Sequence, residues 1–374
     1  MVEQKQFPRI TEEALEPLRQ RLGIPLGITD AFNRNATSDT IRHFAHGIGD
    51  TNPLFTDEGY GKGTRWGAMV APPAFLFTCF GRGAPMGLPG VHGMWAGASF
   101  EMKEPLREGT AIRGTVTPSG LTPKETRFAG RAILQEQTYD YTTPDGLSLG
   151  KVKEWNLRTE RDAGRSKGKY NYLEPASYTP QEIEDIFADY DKEVVSGAAP
   201  RYWEDVSVGD ELPFVVKGPL RVTDNVAWKV GWGFRPFAYA HKIAVDFYNK
   251  APNAFIVNEQ GIPDVPERVH WDPDFARRVG VPGAYDYGPQ RVAWLGQVIT
   301  NWMGDDGFIR EYWAEVRRFN LNGDTHWLKG RVTEKRRDDG GPVVELELWG
   351  DDQRGETTIR GGAVVVLPSR TSPS

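Results

Sequence analysis

Two distant parts of this 374-residue chain repeat each other, and that repeat restricts the fold more than any single motif. PLREGTAIRGTV (Pro105 to Val116) aligns with LNGDTHWLKGRV (Leu321 to Val332) at an offset of 216, which puts Gly114 on Gly330 and Val116 on Val332. LFTDEGY (Leu54 to Tyr60) aligns with VHWDPDF (Val269 to Phe275) at 215, with Asp57 on Asp272. SDTIRHFAHGIG (Ser38 to Gly49) resembles TDNVAWKVGWGF (Thr223 to Phe234) at 185. A period of roughly two hundred residues is a duplicated domain, not a solenoid unit.

Each copy predicts the same order of elements. Ile41, Phe44, Ala45 and Ile48 recur at helical spacing behind a candidate N-cap, Ser38, and Thr223 holds that cap position in the second copy. An acidic turn and a Gly-rich stretch follow, then an apolar helix: Ala74 to Phe80 in the first copy, Gln290 to Trp302 in the second. Alternating strand-like runs close each copy, RAILQEQTYDYTT and LGKVKEWNLR in the first, VVELELWGDD and TTIRGGAVVVLP in the second. The pattern predicts a curved antiparallel sheet wrapped on a central helix, twice. Thr159 to Gly209 reads as a linker with one helix, started by Thr179 as N-cap, Pro180 at the first position and Glu182 closing a capping box. The fall in offset from 215 to 185 places about thirty extra residues in the second copy, around Arg235 to Asp264. That insertion carries Phe237, Tyr239, Phe247, Tyr248 and Phe255, too aromatic a set for a disordered linker.

Composition excludes several classes. The net charge is −6 and no Lys/Arg-dense run stands out, so the footprint of a nucleic-acid binder is missing. The single cysteine, Cys79, permits no internal disulfide and no cysteine-rich zinc pattern, and it is expected to be a buried small hydrophobe. No apolar stretch approaches the roughly 20 residues that span a bilayer, and the N-terminus has no apolar signal region. A cytoplasmic protein is expected. No dinucleotide fingerprint, P-loop or H-E-x-x-H occurs, so no cofactor and no metal are expected.

FAHGIGDTNPLFTDEGYG resembles the hallmark of the MaoC-like, (R)-specific enoyl-CoA hydratase/dehydratase family, G-D-x-N-P-[LI]-H-x-D before a Gly-rich turn and a helix. Gly49, Asp50, Asn52, Pro53, Leu54 and Asp57 match in place, and the first half, with Val70-Ala71-Pro72-Pro73, is similar to the FAS1-type dehydratase branch. The resemblance implies an α+β double hotdog, with hotdogs over 1–158 and 210–374 joined by a linker over 159–209. It also implies addition of water to a trans-2-enoyl thioester, or its loss from a 3-hydroxyacyl thioester, carried by CoA or acyl carrier protein. A symmetric homodimer is common enough to expect, although two fused hotdogs can complete a dimer-like unit alone. In the family an Asp/His pair handles the protons and a backbone N–H at the start of the central helix holds the thioester oxygen.

The first half departs from this pattern. Phe55 stands where the family has His, and Pro73, sixteen residues after Asp57, has no N–H to offer. The second half supplies what the first lacks. His270 stands two before Asp272, and Gly288, sixteen after it, is the expected oxyanion donor. The family's acidic segment has been replaced there. Asp264, six before His270 where the family has five, is the first candidate for the acid partner, with Asp286 and Asp50 as alternatives. Asn52, Arg268, Tyr285 and Asp286 are the expected substrate contacts, and Arg268, Arg277, Arg278 and Arg291 flank the segment as candidates for CoA phosphates. His43 and His46 read as the polar face of a helix, His241 as a possible pocket residue in the insertion, and His326 as surface. The aromatic insertion predicts a bulky acyl group. Other hotdog reactions on a thioester (thioesterase, lyase or isomerase) and a non-catalytic acyl-binding role stay open at this point.

Overall fold

The computed structural model describes residues 8–81, 87–126, 130–160, 173–233 and 239–371. Within them the strands are β1 (Leu26–Gly27), β2 (His92–Met102), β3 (Arg113–Thr126), β4 (Gly130–Thr142), β5 (Ser148–Thr159), β6 (Glu211–Lys217), β7 (Ile256–Val257), β8 (Pro263–Asp264), β9 (Phe308–Val316), β10 (His326–Asp338), β11 (Gly341–Asp352) and β12 (Thr357–Val366). Ten of them form one sheet in the order β1-β3-β4-β5-β2-β9-β12-β11-β10-β6. The order is a palindrome: five strands from each repeat, joined edge to edge where β2 pairs antiparallel with β9. Phe100 and Tyr312 are directly opposed across that seam, their rings stacked 5.7 Å apart. Pairing the two halves there removes an exposed edge from each.

The repeated segments occupy equivalent places, with one correction to their alignment. Asp57 and Asp272 both cap short helices, Glu58–Gly63 and Pro273–Arg278, accepting from the N–H of Tyr60 (2.9 Å) and Phe275 (2.8 Å). The short helices upstream, Ser38–Ile48 and Val222–Trp232, correspond at 184, one less than the sequence match. Their ends set that register, since Gly49 and Gly233 both take the left-handed conformation (φ 65° and 63°) that terminates a helix. The caps also move. Thr37 caps the first helix and Arg221 holds the cap position of the second, not Ser38 and Thr223. The two helices pack on each other through glycines: a Cβ on Gly231 would meet the His43 carbonyl at 2.5 Å, and one on Gly47 would meet the Ala227 carbonyl at 3.0 Å.

The halves differ most in their cores. The second has a full central helix, Gly288–Met303, 16 residues long and buried from Pro289 onward. In the first half the expected apolar helix is a 3₁₀ element of seven residues, Pro73–Cys79. Pro72 and Pro73 remove two N–H donors from its start. Cys79 is buried, its thiol pushed up to about 12 by that burial, and so acts as a packing residue. The linker helix Pro180–Tyr190 begins as expected, Thr179 Oγ1 accepting from the Glu182 N–H (3.3 Å) and Glu182 from the Thr179 N–H (2.7 Å).

The insertion folds as helix His241–Lys250, a 3₁₀ turn and the β7–β8 ribbon; Phe237 lies outside the described residues. Its aromatics pack on one another, with Phe255 5.3 Å from both Phe247 and Tyr248. No helix among the described residues is long and apolar enough to cross a membrane.

Candidate functional site

The insertion ends in a 3₁₀ turn, Pro266–His270, that opens onto the start of the central helix. Residues three apart eclipse in such a turn, so Glu267 and His270 project from the same side. Tyr287, the residue before the helix, lies between them. Its ring stacks on His270 at 3.8 Å, and its hydroxyl donates to Glu267 Oε1 at 3.0 Å. Lys229, from the helix Val222–Trp232, donates to the same oxygen at 2.9 Å. Glu267 Oε2 is buried with no partner among the described residues. The Asn225 amide fixes the turn from behind by donating to the His270 carbonyl (2.9 Å).

The tautomer of His270 follows from its contacts. Nδ1 lies 2.8 Å from the Tyr285 carbonyl, and a carbonyl only accepts, so Nδ1 carries the proton. A neutral ring then leaves the lone pair on Nε2, which has no partner among the described residues. Burial, reinforced by Lys229, lowers the pKa of His270 below the ordinary histidine value, against the opposing pull of the Tyr285 carbonyl, Glu267 and Asp286. The neutral ring is therefore the dominant form near pH 7, which suits a general base. The Tyr287 hydroxyl is held protonated by burial and the adjacent Glu267.

Gly288 is the first residue of the central helix, and its N–H has no acceptor among the described residues. A 16-residue helix concentrates partial positive charge at this end. The first half closes over the same point. A Cβ on Gly288 would come within 2.5 Å of Trp95 Cε3 on β2, and Trp95 is itself anchored by donating to buried Glu154 (2.9 Å). The second-half helix start is thus shaped by a first-half side chain.

The other residues singled out from the sequence fall elsewhere or are already engaged. Asp264 sits on the β7–β8 ribbon, its Oδ1 accepting from the Val265 N–H (2.8 Å) and its Oδ2 4.0 Å from Arg268. Glu267, three before His270, and Asp286 are the carboxylates whose charge is felt at the His270 ring. Asp286 is buried in a bidentate pair with Arg291 (2.5 and 2.7 Å), and Asn320 donates to it at 2.9 Å. Both its oxygens are taken, so it braces the helix and offers no contact to a substrate. Arg291, 1% exposed, is equally unable to meet a CoA phosphate. Arg268 pairs with Glu259 (2.6 Å) and Asp272 (2.5 Å), while Arg277 and Arg278 pair with Asp274 and Glu259. Tyr285 contributes its carbonyl to His270 and its ring to the His270 edge, with Phe319 beyond. His241 is exposed. His326 corrects the surface reading: it is fully buried, with Nε2 2.6 Å from Thr358 Oγ1, because β10 lies between β11 and β6 and its end is covered by the loops around Asp324 and Gln353.

Asp50 and Asn52 serve their own loop. Asp50 Oδ1 accepts from the Asn52 N–H (2.9 Å), and Asn52 Oδ1 caps the next short helix at the Leu54 N–H (3.0 Å). Buried Lys217, from β6, donates to the carbonyls of Ile48 (2.8 Å) and Gly49 (3.1 Å). Burial pushes the Asp50 carboxyl up to about 6, and neighbouring Glu193 adds to that, against the Asn52 N–H and Lys217. Phe55 and Pro73, the first-half counterparts of His270 and Gly288, line an apolar pocket of about 550 Å³ including its open mouth.

Glu267, Lys229, Tyr287 and Asn225 were not singled out from the sequence. The three-residue spacing in PERVH is the one signal that points to Glu267, and it has meaning only once the segment is known to be a 3₁₀ turn.

Comparisons with known proteins agree on architecture. A family model described as "FAS1-like, dehydratase domain region" matches residues 28–148. A UPF0336 protein of Parafrankia sp. (strain EAN1pec) is 31% identical over 135 residues, 31% of this chain and 84% of that protein. Another, from Streptomyces avermitilis, is 29% identical over 86 residues, 21% of this chain and 57% of that protein. A solved MaoC-like dehydratase superposes with a TM-score of 0.64 at 16% identity, covering 94% of this chain and all of the other. A Mycobacterium tuberculosis protein described as having a double hotdog fold superposes at 0.54 with 10% identity, covering 92% and 96%.

Proposed function

Because this chain belongs with the UPF0336 proteins, carries a FAS1-like dehydratase region over 28–148 and has the double hotdog fold, we propose that it adds water to a trans-2-enoyl thioester and, in reverse, dehydrates a 3-hydroxyacyl thioester, at a single site headed by His270 and Gly288. The observation that carries this reading is the tautomer of His270, which leaves a basic Nε2 on a ring stacked against the residue that precedes the helix N-terminus.

In the hydration direction His270 Nε2 takes a proton from water as the water oxygen bonds to C3. The C2–C3 π electrons move toward the thioester carbonyl, and its oxygen, now an enolate, accepts from the Gly288 N–H at the positive end of the central helix. The enolate collapses, C2 takes the proton back from the imidazolium, and His270 returns to its starting form. One water is consumed and no other reactant is needed. Glu267, held by Lys229 and Tyr287, favours the transient imidazolium electrostatically and orients Tyr287 under the ring. Phe55 and Pro73 leave the first-half counterpart without a base or a helix-start N–H, which supports one site instead of two.

The acyl group is bulky in this reading. The support is the aromatic insertion, whose packed core leads directly into the turn carrying Glu267 and His270. The test is loss of enoyl absorbance with short, long and polycyclic trans-2-enoyl-CoA thioesters, using wild type, His270→Ala and Asp50→Asn. Turnover lost in His270→Ala and kept in Asp50→Asn is expected, with crotonyl-CoA a poor substrate. Thiol release without hydration would replace this reading with thioester cleavage, and loss in Asp50→Asn would show that the first half's acidic loop takes part in the chemistry.

A further inference from the structure

The first half's 3₁₀ element stops short on its own sheet, and the sheet face beyond its end is polar. Phe80 stacks on Tyr139 (4.1 Å) and Phe77 packs on Phe100 (5.1 Å), so the element covers the row Tyr139–Val152–Phe100 formed by direct pairing of β4, β5 and β2. Alternate residues of a strand share a face, so the next rows on that face are Gln137–Glu154–Ala98, Gln135–Asn156–Trp95 and Ile133–Arg158–Gly93. Gln135, Gln137, Glu154, Asn156 and Arg158 are all buried. The second half has nothing similar. Its rows in the same direction, Leu346–Ala363–Tyr312 and then Val344–Val365–Ile309, are buried and apolar but for the Tyr312 hydroxyl, which donates to the Val292 carbonyl of the central helix (2.6 Å).

Most of these groups are engaged. Glu154 accepts from Tyr139 on Oε1 (2.9 Å) and from Trp95 on Oε2 (2.9 Å). Arg158 donates to Gln135 Oε1 (3.3 Å) and to the carbonyls of Leu88 (3.0 Å) and Val91 (3.3 Å), which ties that segment to the farthest row. Asn156, in the row between the 3₁₀ element and that segment, is the exception. It is 6% exposed, and its side-chain amide makes no hydrogen bond among the described residues, yet it is not sealed from water. A buried amide without a partner is costly, and a ligand reaching it removes that cost. Its neighbour in the row, Trp95, is the indole that abuts Gly288. Adjacent strands lie about 4.8 Å apart, so the open amide stands one strand away from the side chain that walls the thioester position.

Given the thioester site at Gly288 proposed above, we propose that the acyl group runs past Trp95 onto this face and carries a neutral oxygen substituent, which Asn156 recognises. The amide offers both a donor and an acceptor, so it suits a hydroxyl or a ketone oxygen. A plain hydrocarbon chain leaves Asn156 unpaired, so the site prefers the oxygenated chain. Asn156 is then a specificity-determining residue supplied by the half that has lost its own base, and it takes no part in the proton transfers at His270.

The experiment is calorimetric titration of the full chain with decanoyl-CoA and with its 6-, 8- and 10-hydroxy derivatives, saturated thioesters that bind without being hydrated. The expected result is that at least one hydroxylated chain binds about two- to tenfold tighter than decanoyl-CoA, the worth of one hydrogen bond to a buried group. Asn156→Leu, close to Asn in size and without polar atoms, should abolish that preference while still binding decanoyl-CoA. Hydroxylated chains that all bind no tighter than decanoyl-CoA, no saturable binding of any of the four, or a preference undiminished in Asn156→Leu overturns the proposal. If Asn156→Leu does not fold, the wild-type ranking and Asn156→Ala decide in the same way. The hydration assay on trans-2-enoyl thioesters separates the two readings: the ranking without hydration of any enoyl-CoA removes the hydratase reading and keeps Asn156 as a ligand contact, whereas hydration without the ranking removes the role of Asn156 alone.

Discussion

Gly288 lies so close to Trp95 that the two repeats meet at one atom's width: a Cβ at position 288 would stand 2.5 Å from Cε3 of the indole. One residue opens the second half's central helix and the other comes from the first half's β2, so neither half alone builds this helix start.

Gly288→Ala is therefore expected to act through packing. The added methyl forces Trp95 off Glu154 or displaces the helix, at about 1–3 kcal/mol for overpacking of this kind. Urea unfolding of Gly288→Ala against Gly288→Ala with Trp95→Leu checks it. The second change should relieve part of the loss, and strict additivity would mean that the close approach is not the cause.

His270→Ala should lower turnover about 10²–10⁴-fold, the usual worth of a positioned base. Glu267→Gln keeps a partner for Tyr287 but removes the charge that favours the imidazolium and leaves Lys229 unneutralised. Both effects lower the His270 pKa further, so the acid limb of the kcat/KM profile should move to lower pH, by up to about one unit. A limb that stays put or moves up would show that Glu267 is not felt at the ring.

Asp50 should make stability fall with rising pH over one window. Its carboxyl is pushed up to about 6 in the fold. An unfolded Asp titrates near 3.9, so between about pH 4 and 6 the folded chain binds the extra proton. Stability is then greatest below pH 4 as far as this group is concerned, and is lost as pH rises to 6, by on the order of 2–3 kcal/mol. Asp50→Asn mimics the protonated form and should flatten that part of the profile, as measured by denaturant unfolding across pH.

Asp286→Ala leaves the Arg291 guanidinium buried without its carboxylate, which costs about 3–5 kcal/mol for a broken buried pair. Replacing both with Leu and Met should recover much of that loss in melting experiments. Equal destabilisation by the single and double changes would mean that the ion pair is needed for the shape of the helix start itself.

The repeat, the strand runs and several of the capping residues were legible in the sequence because they are local, although Ser38 and Thr223 each missed the true cap position, by one and two residues. Asp57 and Asp272 cap the turns their spacing marked, and Thr179 with Glu182 forms the capping box its four residues predicted. The glycines of GIG and GWG were visible as letters, but their use was not. Gly47 and Gly231 are needed where two helices nearly two hundred residues apart in sequence touch backbone to backbone, and Gly49 and Gly233 set the register one residue away from the best sequence match. His270 and Gly288 were singled out in the sequence because the resemblance to the family motif, carried across the repeat, marks their positions. Their surroundings were not. Glu267 faces Tyr287 only because the segment winds as a 3₁₀ turn, Lys229 reaches it from another helix, and Trp95 arrives from the other half. His326 reads as a polar tip in sequence and is buried because loops from distant parts of the chain close over the end of its strand. Local spacing determines caps, periods and turns, since those interactions span a few residues; which charged and aromatic groups share a low-dielectric site is decided by contacts between segments far apart in the chain, which only the folded sheet and its helices bring together.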